Sequence, residues 1–105
     1  MSLEEVKKRG VNLVKRFEKS EPRRWSIEGS VMELSTEVGD LADLVLRKEY
    51  YKKNIYDDLD YQIQDEIADI LLVACRIADY YNINLDKAFS EMEKVVDDRL
   101  KSRGL

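Results

Sequence analysis

Helix breakers are scarce in this chain. One proline, Pro22, and four glycines stand in 105 residues. Proline removes a backbone donor and clashes inside a helix, and glycine carries an entropic cost there. A chain that uses both sparingly and repeats apolar residues every three to four positions reads as long helices. Leu3, Val6, Val11, Leu13, Val14 and Phe17 predict a first helix from about Ser2 to Lys19. Ser2 caps it, Glu4 and Glu5 favour its positive end, and Ser20-Glu21-Pro22 stops it. Ile27, Val31, Leu34, Val38, Leu41, Leu44 and Val45 predict a second, from Ser26 or Glu28 to about Lys52, with Asn54 as the stop. Asp57 or Asp58 caps a third, which reaches about Tyr81 through Leu59, Ile63, Ile67, Ile70, Val73, Ala74 and Ile77. After the turn Asn82-Ile83-Asn84, Asn84 caps a last helix from Leu85 to about Lys101 that buries Leu85, Ala88, Phe89, Met92 and Val96. No segment alternates like a strand, and there is no internal repeat.

These helices fit one all-α domain over residues 1–105, an antiparallel bundle of four or five helices. Helices of about 20 residues are about 30 Å long, which is much for so small a core. The surplus apolar surface, with Tyr50, Tyr51, Tyr56, Tyr80 and Tyr81, points to a homo-oligomer. The alternative sets the tyrosines along the bundle edge with their hydroxyls in water.

Composition removes several classes. There is no histidine, so His-based acid–base catalysis, His-ligated zinc and a Ser–His–Asp triad are excluded. The single cysteine, Cys75, cannot form an internal disulfide and reads as a small buried residue of a protein from a reducing compartment. No apolar run nears the roughly 20 residues of a membrane span, and no signal-peptide core is seen. A pI near 4.9 argues against duplex nucleic acid as a partner. The net charge of −4 is unevenly spread. Residues 33–69 hold 11 acids and 4 bases, and the remainder holds 11 acids and 14 bases. A concentrated anionic zone binds a cation or is simply solvated.

Within that zone, some carboxylates stand at apolar positions. With about 100° per residue and Glu33 at the origin, Leu44 falls at roughly 20°, Glu37 at roughly 40° and Leu41 at roughly 80°. Glu37 thus lies in the apolar stripe, Glu33 on its edge, and Asp40 just outside. On the third helix Glu66 is flanked by Val73 and Ile77 within roughly 20°, and Asp69 borders the stripe. A carboxylate at such a position is costly unless paired, protonated or metal-bound. Glu33 and Glu37 are four residues apart and Glu66 and Asp69 three, so each pair shares a helix face. Antiparallel packing would bring all four together, a ligand set suited to Mg²⁺ or Mn²⁺. The plainer alternatives leave Glu33 and Asp69 in solvent and pair Glu66 with Arg99 or a lysine. Di-iron carboxylate bundles typically use Glu-x-x-His pairs, which a chain without histidine cannot supply.

The segment Glu33-Leu-Ser-Thr-Glu37-Val-Gly39-Asp40-Leu41, followed by Glu66-Ile-Ala-Asp69-Ile-Leu, resembles the all-α nucleotide pyrophosphohydrolases of the MazG-like superfamily. Their signature is E-x-x-E, a variable gap, then E-x-x-D. Asn82-Ile-Asn-Leu-Asp-Lys-Ala88 resembles the family's entry into its last helix, and the likeness spans about Trp25 to Arg99. It implies a cytoplasmic enzyme, dimeric or tetrameric, with sites completed near subunit contacts. Such an enzyme cleaves a nucleoside or deoxynucleoside triphosphate between the α and β phosphates, giving the monophosphate and pyrophosphate. A role in sanitising the nucleotide pool would follow. Carried over, Glu33, Glu37, Glu66 and Asp69 hold Mg²⁺, and Glu37 also orients or deprotonates the attacking water. Lys94 matches a phosphate-contacting lysine. Asp98 stands where relatives often have asparagine, and a negative charge there suits phosphate only with a further cation. Trp25 matches a base-stacking position. From its place on the wheel, Arg99 can reach the acidic cluster.

Each substrate contact has a plainer alternative. Lys94 and Asp98 can form an exposed i,i+4 pair, and Trp25 can cover the end of the core. Arg23, Arg24, Arg47, Lys48, Lys52 and Lys53 can draw in triphosphate or balance the surface. The rival reading of the whole chain is a non-catalytic helical oligomer that serves as an interaction or nucleotide-binding module.

Overall fold

A computed structural model describes residues 1–20 and 26–105. Among them are four α-helices and no strand: α1 (Leu3–Ser20), α2 (Ile27–Lys48), α3 (Leu59–Tyr80) and α4 (Leu85–Lys101). The starts follow the capping residues. Ser26, Asp58 and Asn84 accept from the backbone N–H of Gly29, Tyr61 and Lys87 with their side chains. These bonds satisfy donors that the first helical turn leaves without partners.

The helix ends share one device. At the end of α2, Tyr50 N–H donates to the Arg47 carbonyl and Tyr51 N–H to the Leu46 carbonyl. At the end of α3, Asn82 and Ile83 donate to Asp79 and Ala78 in the same pattern. Both are Schellman closures, whose turning residue takes left-handed backbone angles. Asn82 (φ 54°) suits that role, whereas Tyr50 (φ 65°) is an unexpected occupant. The closure at Tyr50 ends α2 at Lys48, short of the expected Lys52.

α2 and α3 pack antiparallel. Lys48 near the end of α2 pairs with Asp60 near the start of α3 at 2.6 Å. Glu37 meets Glu66, and Asp69, further along α3, feels the charge of Glu33, further back on α2. Leu44 and Leu59 are buried in the described chain, with Cys75 and Ala78 further along α3. α1 lies against the other side of α3. The two helices come close at Gly10, where an added Cβ would come within 3.2 Å of Leu72 Cδ1 and 3.5 Å of Cys75 Cβ. Glycine here serves close contact rather than backbone conformation, and a larger residue would have to displace the Leu72 side chain. Burial pushes the Cys75 thiol pKa up, in keeping with a packing role.

α4 departs from the expected bundle. It packs mainly on α1 and buries no residue. Ala88, Phe89, Met92 and Val96, expected in the core, are exposed; Phe89 keeps 52% of its surface. The radius of gyration is 17.0 Å, against about 13 Å for a compact domain of this length. An amphipathic stripe shows that a helix has a face to bury, but not that its own chain supplies the partner. Tyr50, Tyr51, Tyr80 and Tyr81 are exposed too, and Tyr56 is half-buried beneath Arg47. No helix of the described residues is long and apolar enough to cross a membrane.

Candidate metal centre

The facing middles of α2 and α3 carry the carboxylates. Glu33 and Glu37 succeed each other by one turn on α2, as Glu66 and Asp69 do on α3, so antiparallel packing turns two linear spacings into one cluster. Glu37 is its hub, its carboxyl close enough to those of both Glu66 and Glu33 for each to shift its pKa. One oxygen each from Glu37, Asp40 and Glu66 lie within 4.8 Å of one another. Glu33, Glu37, Glu66 and Asp69 are half-buried, and Asp40 is exposed.

The electrostatics follow from like charges crowded out of water. The Glu37 pKa is raised above its usual value, first by the Glu66 hydrogen bond and then by burial and the charges of Glu66 and Asp69; the Glu33 bond acts in the opposite direction. Glu33 is raised by its hydrogen bond with Glu37, then by burial and the charges of Glu37 and Asp40. Asp69 is raised by burial, then by Asp65 and Glu33. Among the described residues, none of these carboxylates forms an ion pair with Lys or Arg. Glu66 therefore does not take Arg99 or a lysine as its counter-ion. Instead its Oε1 is buried with no hydrogen-bond partner. A buried acceptor left so is costly, and a divalent cation would satisfy it together with the repulsion around it.

The tightest grouping differs from the sequence-based ligand set. Asp40 belongs to it, while Glu33 and Asp69 lie outside. The signal was present in the spacing. Glu37-Val-Gly-Asp40 has the three-residue step of the E-x-x-E signature, whereas Glu33 and Glu37 are four apart. Asp40 stood beyond the edge of the apolar stripe because an exposed residue can still turn one oxygen into a cleft.

The substrate-contact candidates are not drawn to the cluster. Lys94 Nζ binds Asp98 Oδ2 at 2.8 Å, with 78% and 61% of the two side chains exposed. Arg99 is also exposed on α4. Trp25, with Arg23 and Arg24, lies outside the described residues. The bases around the end of α2 are occupied by acids of α2 and α3: Arg47 and Lys52 hold Asp43 at 2.9 and 2.6 Å, and Lys48 holds Asp60. Beside Asp69, a groove of about 370 Å³ runs between α1 and α3, lined by Val6, Arg9, Leu13 and Leu72. The chain matches no known family model, no curated protein and no solved structure.

Proposed function

We propose that this chain is a Mg²⁺-dependent nucleoside triphosphate pyrophosphohydrolase of the MazG-like kind. The observation that carries the reading is Glu66 Oε1, buried without a partner beside the oxygens of Glu37 and Asp40. An all-carboxylate set with no histidine or thiolate suits a hard divalent cation, Mg²⁺ or Mn²⁺. Glu37, Asp40 and Glu66 would hold it, with Asp69 and Glu33 as outer carboxylates. Bound Mg²⁺ would supply charge neutralisation of the phosphates and a lowered pKa for the attacking water. Glu37, which is influenced by both Glu33 and Glu66, would orient that water and take its proton. Water and a (d)NTP give the (d)NMP and pyrophosphate. The absence of histidine is no obstacle to a reaction run on carboxylates and a cation.

The reading includes a homodimer or homotetramer in the cytoplasm, where free nucleotides are met, and a part in nucleotide sanitation is consistent with it. We assign the contact between copies to the outer faces of α2 and α3, where Val31, Val38 and Ile67 are exposed. The test is pyrophosphate release from a panel of NTPs and dNTPs, with and without Mg²⁺. Metal-dependent release from at least one member is expected; no release from any, by folded and metal-loaded protein, would sink the enzyme reading. A second reading, a non-catalytic interaction module, is favoured by the bare apolar face of α4 (Phe89, Met92, Val96). It predicts no release from any member of the panel, by wild type or by Glu66→Gln.

A further inference from the structure

α1 and α4 meet at their N-termini, and each caps the other. Leu85 N–H, in the first turn of α4, donates to Glu4 Oε1 at 2.6 Å. In return, Leu3 and Glu4 N–H donate to the two carboxylate oxygens of Asp86 at 3.0 and 3.4 Å. Lys7 closes the knot: its Nζ donates to the Ile83 carbonyl at 2.7 Å and pairs with Glu4 Oε2 at 3.0 Å. Lys7 is buried although its ammonium is charged, which is tolerable because both contacts are made. Elsewhere α4 buries nothing.

A helix N-terminus presents free N–H groups and partial positive charge, so a carboxylate delivered from another helix both caps it and ties the two together. Here the arrangement is reciprocal, and its strength depends on charge. We propose that the Glu4–Asp86 cap is a charge-dependent joint: while both carboxylates are ionised it fixes α4 on α1, and neutralising them frees α4 as a unit while α1, α2 and α3 stay folded. The joint decides where α4, with Lys94 and Asp98, stands relative to the rest of the chain. This does not rest on the catalytic reading.

The groups that face the joint are few. Glu4 meets Lys7 and Lys8 on α1, Leu85 N–H on α4 and, across on α3, the Cys75 thiol. The Leu85 and Lys7 bonds hold the Glu4 pKa below its usual 4.5. The folded pKa of Glu4 is the lower one, so the contribution of Glu4 to the joint is present above pH 4.5 and is lost as pH falls through the folded value.

The experiment is hydrogen exchange at pH 7, read by mass spectrometry on the full chain. In Glu4→Gln combined with Asp86→Ala, α4 amides are expected to exchange at least tenfold faster, with α2 and α3 unchanged. Asp86→Asn, whose oxygen still accepts, should show a smaller increase. Wild-type protein should show the same selective loss, corrected for intrinsic rates, when acidified below pH 4.5. Unchanged α4 protection in the double variant would overturn the joint, including protection that rises with protein concentration and so comes from a second copy. Equal loss across all four helices would overturn it too. Circular dichroism on the same samples separates that last outcome from a failure to fold.

Discussion

Between α2 and α3, Glu66 keeps a buried oxygen with no donor, while on α4 Phe89 leaves half its surface in water. One is a charge where an apolar residue would be expected; the other is an apolar residue where a charge would be. Both helices are amphipathic, and nothing within α4 separates its stripe from those that α2 and α3 partly bury. The difference comes from neighbours. α3 has α2 on one side and α1 on the other, whereas α4 touches the chain mainly through its first turn. Burial makes an acid informative, because water no longer explains it, and exposure makes an apolar stripe ambiguous.

Four changes test this contrast, in falling order of effect. Glu66→Gln should lower pyrophosphate release at least about 100-fold, since the cluster would lose a charged ligand, about 2.7 kcal/mol of transition-state stabilisation. Steady-state assays at saturating Mg²⁺ check this. Gly10→Val puts atoms where a single Cβ already meets Leu72 at 3.2 Å. It should cost about 2 kcal/mol by overpacking, seen in urea melts, and should loosen α1 and α4 while sparing the α2–α3 contact. Tyr50→Gly should stabilise the chain by about 0.5–1 kcal/mol, because Tyr50 holds a left-handed conformation that glycine adopts freely. Little packing would be lost, since the side chain is 94% exposed. Phe89→Ser with Met92→Ser should change stability by no more than about 0.5 kcal/mol, as for open surface sites. A larger loss that depends on protein concentration would show a second copy seated on α4.

The sequence made the helices legible through residues whose local chemistry admits one reading. Asn82 stops one element and Asn84 caps the next, and the stripe through Leu59, Ile63 and Ile70 has a helical period with an acid set into it. Glu37 and Glu66 could be singled out because they break that pattern. The end of α2 was not legible, since tyrosine is a poor candidate for the left-handed position that Tyr50 takes. The place of α4 was not legible either, because the Glu4–Asp86 cap joins residues far apart in the chain through an interaction that leaves no periodic trace. Asp40 was obscured by its exposure, although its spacing from Glu37 fitted the signature.

We read the carboxylates between α2 and α3 as a divalent-cation site. It is tested most directly by thermal melts of metal-free wild type and Glu66→Gln over a range of pH, with and without Mg²⁺. Glu33, Glu37 and Asp69 have raised folded pKa values. The folded state thus binds protons more readily there. Without metal, the cluster should therefore stabilise the fold as pH falls through those values toward the unfolded 4.5 and 3.8. At neutral pH, Mg²⁺ at a hundredfold excess over its Kd should stabilise wild type by about 2.7 kcal/mol, flatten that pH dependence, and do little for Glu66→Gln. Melting curves of wild type that Mg²⁺ does not move, or that it moves equally in Glu66→Gln, would contradict the account.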